Sequence, residues 1–395
     1  MTDLLRQEIA TAATTIVVKV GTRVVTKDGR LNEDRIAQLA EELHGVMDSG
    51  RRVALVSSGA VGAGVGRLGL PRRPTDIARL QAVAAVGQSM LVEAYERCLR
   101  TFGRHAAQIL LTADDLDNRT SYLNARNTML TLMGEYNAVP IINENDTISV
   151  EELQTTFGDN DRLAAIVTNL VQSPLLVLLS DVEGLYSGDP REPGAQLIPT
   201  VERLDAGVFD LVRDRLTGES KGGMASKLRA AHQVTAAGGS AIIASGRSPG
   251  ALSKIIAGEP VGTLFLAQGG IIPAWKRWIG FTVQPRGHLI LDAGARTAVE
   301  SRGRSLLAAG VLKVVGRFHK GDVIALYDAQ GEEFARGLTN YDSDDIQRIR
   351  GLKTAEVAEV LGYCPPDEVV HRNNMVVTGI GNGGSPRLPS APADG

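Results

Sequence analysis

Cysteine is nearly absent from this chain of 395 residues: there are two, Cys98 and Cys364, far apart and outside any CxxC spacing. That excludes a disulfide framework and a thiolate zinc site, and it fits a reducing compartment. Long apolar runs are also missing. Stretches such as Leu175–Leu179 fall far short of the roughly 20 residues that span a bilayer, so no membrane partner is expected. The first residues, MTDLLRQEIATAA, carry acidic side chains and lack an extended apolar core, which makes a poor signal peptide. Charge of one sign is scarce as well. The net charge of −3 gives no global pull toward nucleic acid or anionic lipid. No Gly-Lys dipeptide occurs, so there is no Walker A loop. What remains is an ordinary globular composition, 43% hydrophobic and 22% charged, long enough for two or three domains. The expectation is a soluble, cytoplasmic protein.

From about residue 14 to 266, short apolar runs alternate with longer amphipathic ones. Ile16–Val20, Val53–Val56, Ile109–Leu111, Val139–Ile142, Leu175–Leu179, Ala241–Ala244 and Thr263–Leu266 read as strands. They lack polar alternation, as strands covered on both faces do. Helical patterns lie near 32–49, 74–101, 119–136, 161–172 and 224–238. The alternation predicts an α/β domain, helices on both sides of a mainly parallel sheet, preceded by an extension over 1–13. The polar, Pro-containing stretch Glu192–Thr200 reads as a surface loop. Texture changes at 267–280, which holds Gly269-Gly270, Pro273 and both tryptophans, Trp275 and Trp278, and reads as a linker. Residues 281–370 read as a small β-rich domain, with strands at His288–Leu291, Val311–Val315, Asp322–Leu326 and Phe334–Leu338 and a tight turn at Asp328-Ala-Gln-Gly331. The Gly/Ser/Pro-rich segment 381–395 reads as disordered.

Chemistry concentrates at a few points. The run Val139–Ile142 ends in Asn143-Glu-Asn-Asp146, and Phe157-Gly-Asp-Asn-Asp161 opens the helix that follows. Strand ends and helix starts are where an open α/β sheet places ligands. Carboxylates accept from an ammonium while amide and backbone N–H groups donate to a carboxylate, so the two knots together suit a small zwitterion. Lys19 sits among valines in Val17-Val-Lys-Val-Gly21; it either reaches a phosphate from the strand end or snorkels from an edge strand. Ser57-Ser-Gly-Ala60 and the glycines after it leave backbone N–H groups open to an anion. Within that run Gly64-Val-Gly-Arg-Leu-Gly69 spells GxGxxG, but it does not follow directly on its strand, and residues 88–91, Gln-Ser-Met-Leu, offer no acidic ribose ligand. The dinucleotide reading is rejected. Ser180-Asp181 ends another apolar run, and Ser220-Lys-Gly-Gly-Met-Ala-Ser-Lys227 places two glycines ahead of a helix, an arrangement that binds phosphate.

With these strings on the page, the chain resembles the bacterial glutamate 5-kinase family, of the amino-acid kinase fold. The resemblance rests on Val17–Gly21, Ser57–Ala60, Asn124-Ala-Arg-Asn127, Asn143–Asp146, Phe157–Asp161, Ser180–Tyr186 and Gly222-Gly-Met224 through Lys227, and it spans about 14–370. Its C-terminal part is similar to a PUA domain. The fold implied is a three-layer sandwich around a mainly parallel sheet, with the smaller β-rich domain after it. The resemblance implies ATP with Mg2+ as cofactor, L-glutamate as substrate, L-proline as feedback inhibitor and a homo-oligomer. It implies catalytic roles for Lys19, Lys227 and Asp161, with Asp161 orienting the two lysines. Substrate binding falls to Ser58, Gly59, Asn145, Asp146, Asp159 and Asn160. The nucleotide is bordered by Lys19, Gly21, Ser180, Asp181 and the run Lys221, Gly222, Gly223, Met224, Ala225, Ser226 and Lys227. One departure stands out: Ser220-Lys221 replaces the Gly-Thr more common in the family before Gly-Gly-Met.

The implied reaction phosphorylates the γ-carboxylate of glutamate, the first step of proline biosynthesis. That carboxylate is ionised at neutral pH, so no general base is needed, in keeping with motifs free of histidine. No protein ligand is required for Mg2+, which stays on phosphates and water. Two alternatives were weighed: another enzyme of the amino-acid kinase fold, and an RNA binder working through the C-terminal domain. Residues 281–370 hold 11 Lys and Arg against 13 Asp and Glu. That is not the basic surface of an RNA binder, so nucleic acid is not expected as a partner.

Overall fold

The computed structural model describes residues 3–27, 29–148, 160–212, 223–268, 273–362 and 366–378. Its contacts divide into two compact units, Met1–Leu204 with Asp210–Ile271, and Ile272–Gly395 with Asp205–Phe209. The segment 381–395 lies outside the described residues.

The first unit carries strands β1 (Thr15–Val20), β2 (Thr26–Lys27), β3 (Arg30–Leu31), β4 (Arg52–Ser57), β5 (His105–Leu111), β6 (Ala138–Glu144), β7 (Leu175–Ser180), β8 (Thr200–Val201), β9 (Ser240–Ser245) and β10 (Thr263–Phe265). Eight of them form one sheet in the order β5-β6-β4-β1-β7-β9-β10-β8, with β2 and β3 as a separate hairpin. Every pairing from β5 through β9 is parallel, and β10 runs antiparallel to β9. The expected strands are all present. β1 lies at the middle of the sheet, buried along its whole length, which removes the edge-strand reading of Lys19.

Period-two burial explains the layers. Ile16, Val18 and Val20 of β1 join a core with Leu39, Leu43 and Val46 of the helix Glu33–Asp48 and Leu91, Tyr95 and Leu99 of the helix Ile77–Arg100. On the opposite face, the helix Asn160–Leu170 packs on β1, β4, β6 and β7, and the helix Met224–Ala236 packs against it and on β7 and β9. Val17 and Lys19 alternate with the residues of the first core, so Lys19 belongs to the layer of these two helices.

The glycine-rich run after β4 forms a helix, Ala60–Arg67, which the sequence reading did not anticipate. Its glycines are there for packing. A Cβ on Gly64 would lie 1.9 Å from the Val83 carbonyl oxygen, and one on Gly87 would lie 1.8 Å from that of Ala60. Within the GxGxxG string Gly64 meets the neighbouring helix at Val83, Gly66 lies against Gly29 and Arg30, and Gly69 stands open at φ +63° just past the helix; the string is not a dinucleotide loop. Gly59, at φ +118°, starts this helix in a conformation that favours glycine.

The second unit is a six-stranded sheet of β11 (Gly287–Leu291), β12 (Leu306–Leu307), β13 (Val311–Val315), β14 (Val323–Tyr327), β15 (Glu333–Thr339) and β16 (Glu368–Val377), in the order β12-β16-β15-β14-β11-β13. The four expected strands and the turn at 328–331 are present, with Gly331 at φ +80°. Two boundaries differ from expectation. β16 runs to Val377, beyond residue 370. The expected linker, 267–280, holds the helical turn Ala274–Arg277 and most of the turn Trp278–Thr282. Trp278 is buried, Trp275 stacks on it at 5.5 Å, and the Trp275 indole N–H donates to Asn374 of β16 at 3.3 Å. Indoles need an apolar wall and a polar partner together, and this unit supplies both. A truncation for function therefore belongs at 271, since a cut at 280 strands both tryptophans. Residues 1–271 are expected to purify as a folded protein. Circular dichroism checks this; a fragment that does not fold would show that the first unit depends on the second.

Candidate functional site

Lys19 on β1, Asp161 in the first turn of the helix Asn160–Leu170, and Lys227 in the first turn of the helix Met224–Ala236 meet at one point. The Lys19 ammonium lies 2.5 Å from Asp161 Oδ1 and the Lys227 ammonium 3.0 Å from Asp161 Oδ2. The three are 6%, 0% and 5% exposed. Burial alone would push the Asp161 carboxyl up, but the two ammonium groups outweigh it and hold the carboxyl below its ordinary value. Two cations share one anion, so the cluster carries a net charge of +1. Both helices also bring their N-termini here, and Gly223, which starts the second, has no side chain to cap it; a helix N-terminus favours an anion. A buried positive centre at two helix starts is chemistry for phosphate.

A second line of contacts runs alongside. The Asn160 amide donates to Ser58 Oγ at 2.7 Å and to Asn143 Oδ1 at 2.9 Å, and Asn143 in turn donates to Gln88 Oε1 at 2.9 Å. Ser58 and Asn160, both expected at the substrate, are thus in contact. Asn143 and Gln88 were not among the expected site residues. Asn143 was visible as the first residue of its motif; Gln88 had no signal, being one polar residue inside a long helix. Gly59 follows Ser58 at the helix start. Asn145 and Asp146 lie just past the end of β6, where Asn145 accepts from Thr147 Oγ1 at 2.6 Å. Asp146 is half-buried, and burial together with the nearby Glu144 charge pushes its carboxyl up to about 7, with Arg73 opposing.

The third group lines the ends of β1 and β7. Gly21 N–H donates to the Leu179 carbonyl at 3.1 Å, and Ser180 Oγ to Asp181 Oδ1 at 3.2 Å. Burial would push the Asp181 carboxyl up; its hydrogen bond from Arg23 leads the opposing effects, and the net direction is down. Gly223, Met224, Ala225, Ser226 and Lys227 form the start of their helix, with Ser226 buried. Asp159, Lys221 and Gly222 lie outside the described residues, as does most of the Phe157–Asp161 motif. Among the described residues no group of three or more His, Cys, Asp and Glu could hold a metal ion, and no helix is long and apolar enough to cross a membrane.

Comparison with known proteins agrees with this geometry. Residues 14–245 match the amino acid kinase family and residues 287–361 match the PUA domain. The chain belongs to the amino acid kinase family. Within it, the chain is 48% identical over 374 residues to glutamate 5-kinase of Rhodopirellula baltica, covering 94% of this chain and 96% of that protein. It is 44% identical to glutamate 5-kinase of Syntrophotalea carbinolica, covering 94% and 100%. Against glutamate 5-kinase of Chromobacterium violaceum it is 46% identical, covering 92% and 98%.

Proposed function

We propose that this enzyme transfers the γ-phosphoryl group of ATP to the γ-carboxylate of L-glutamate, giving L-glutamyl 5-phosphate and ADP, the entry reaction of proline biosynthesis. The observation that carries the reading is the end-to-end likeness to glutamate 5-kinases, 48% identity across nearly the full length of both chains, joined to a buried site of two lysines on one aspartate.

In this reading Lys19 and Lys227 flank the moving phosphoryl group and neutralise charge that builds on its oxygens. Asp161 sets their spacing, holding one ammonium on each carboxylate oxygen. An ammonium carries three donors, more than one carboxylate oxygen takes, so each lysine serves Asp161 and a phosphoryl oxygen together. Alignment and charge neutralisation are what phosphoryl transfer needs. The glutamate carboxylate attacks as an anion, without a base. Ser58, Gly59, Asn145, Asp146, Asp159 and Asn160 hold the amino acid. Gly21, Ser180, Asp181 and residues 221–227 border the nucleotide. Mg2+ bound with the nucleotide would supply further positive charge to the phosphates; Asp161, committed to two lysines, is not offered as its ligand. Turnover measured as ADP release across L-glutamate, L-aspartate, N-acetyl-L-glutamate, carbamate and UMP tests the assignment. Glutamate is expected to be preferred by at least about a hundredfold in kcat/KM; preference for another member of the panel would overturn it. L-proline as feedback inhibitor and a homo-oligomeric, cytoplasmic enzyme belong to the same proposal, supported by the family likeness.

Asp146 gives this reading a pH signature. Burial and the nearby Glu144 charge push its carboxyl up to about 7, so at lower pH it is neutral and cannot pair the substrate ammonium. KM for glutamate should rise as pH falls from about 8 to 6, approaching about tenfold per unit below the transition, while KM for ATP stays flat. Asp146→Asn should bring a high KM for glutamate with no such slope. Steady-state kinetics at several pH values check this; an unchanged slope in the variant would move the titration to another group.

A further inference from the structure

A second trio with the same charge pattern stands at the ends of neighbouring strands. Asp181, just past β7, receives Arg23 Nη1 on Oδ2 at 3.0 Å, and Arg247 Nη2 lies 3.8 Å from the same oxygen. Arg23 follows β1 and Arg247 follows β9, so three adjacent parallel strands deliver the three residues to one edge of the sheet. That edge, the carboxyl ends of the strands, is where open α/β sheets bind ligands. Two guanidinium groups against one carboxylate leave a net +1. The buried lysine trio repeats this count on β1 and the adjoining helices, but here the cations are open to solvent, with side chains 47% and 60% exposed.

Exposed ion pairs contribute little to stability, yet the backbone that presents these two is held firmly. Gly246 N–H donates to the Ser180 carbonyl at 2.7 Å, and the Gly246 carbonyl accepts from Arg35 Nε at 2.6 Å. Arg35 is buried and paired with Glu42 at 2.9 Å, and Glu42 Oε2 accepts the Leu252 N–H at 2.8 Å. A Cβ at position 246 would lie 2.9 Å from Leu179 Cβ and 3.0 Å from Val24. On the other side, Val24 N–H donates to the Gly21 carbonyl at 3.0 Å and Thr26 Oγ1 to the Thr22 carbonyl at 2.8 Å, fixing the turn that carries Arg23. A buried ion pair is an expensive way to hold a loop. What it fixes here is the turn that aims Arg247 at Asp181.

We propose that Arg23 and Arg247, oriented by Asp181, form an outer cationic rim that takes the polyphosphate of the nucleotide. This rests on the kinase reading above, in which Asp181 borders the nucleotide. Guanidinium forks match phosphate oxygens, and an exposed rim speeds the encounter with a polyanion in a salt-dependent way. Binding of ATP draws the arginines partly from Asp181 to phosphate.

The test is steady-state kinetics on the full chain, wild type against Arg23→Ala, Arg247→Ala, the double variant and the Arg→Lys pair, with calorimetric titration of ADP. Each single alanine change should raise KM for ATP by about fivefold, and the double change by about twentyfold or more. KM for glutamate should stay within about twofold. Raising salt should weaken ATP binding in the wild type and much less in the double variant. Lysine replacements should recover part of the loss, since they keep the charge without the fork. Unchanged KM for ATP and Kd for ADP in a folded double variant would overturn the rim, as would a defect confined to glutamate. A wild type with no glutamate-dependent ADP release would instead overturn the kinase reading.

Discussion

Lys227→Ala is expected to lower kcat by about a hundredfold or more while the protein stays folded, and Lys19→Ala to do the same. Each change removes one of the two ammonium groups on Asp161. The loss should fall mainly on kcat, because charge on the phosphoryl oxygens differs most from the ground state at the transition state. Lys227 lies at a helix start and Lys19 in the central strand, so the fold responds differently. Lys19→Ala leaves a gap between β1 and the helix Asn160–Leu170, while Lys227→Ala leaves one at the start of its own helix. Circular dichroism and melting separate these effects from chemistry. Near-normal kcat in either folded variant would remove that lysine from the mechanism.

Asp161→Asn should be the more damaging change. The amide keeps the shape and loses the anion, so two buried cations face each other without a counter-charge. Breaking a buried ion pair from one side costs about 3–5 kcal/mol. Turnover should fall by about a thousandfold, since both cations are disturbed together. The pH dependence has a definite sign. The Asp161 carboxyl is held below its ordinary value in the folded protein. Its contribution is therefore complete above the unfolded carboxylate range and is lost only as pH falls through the lower, folded value. The stability gap between wild type and variant should be flat from about pH 6 to 8 and close in acid. Urea unfolding of both proteins across that range measures it. A gap that closes near neutrality would mean that the lysines, not the aspartate, titrate.

The sheet was legible because its strands are buried on both faces and so read as unbroken apolar runs. β5 shows the limit. Only Ile109–Leu111 was expected, while the strand begins at His105, because its first four residues, His-Ala-Ala-Gln, lack an apolar run on an edge strand that is only partly covered. The helix Ala60–Arg67 was hidden by glycines that serve close packing against Gly87 and Val83, a need that exists only once the two helices meet. The trio of Lys19, Asp161 and Lys227 was named through family likeness. From residues alone Lys19 stood between two readings, and the central position of β1 removes the edge-strand one. Gln88, Arg23 and Arg247 left no trace in the sequence, since what marks them is a partner brought near by the fold: Asn143 for the first and Asp181 for the other two. In the second unit, the tryptophans read as linker because Gly and Pro surround them, and the Asn374 partner of Trp275 is brought near only by β16.

The most direct measurement traps the acyl phosphate itself. The purified full chain is incubated with L-glutamate, MgATP and hydroxylamine, and the hydroxamate is identified by mass and by comparison with authentic α and γ isomers. γ-Glutamyl hydroxamate should form in step with ADP, depend on both substrates, and vanish with Lys227→Ala. A folded protein that releases ADP without γ-hydroxamate, or that gives the α isomer, would contradict the account.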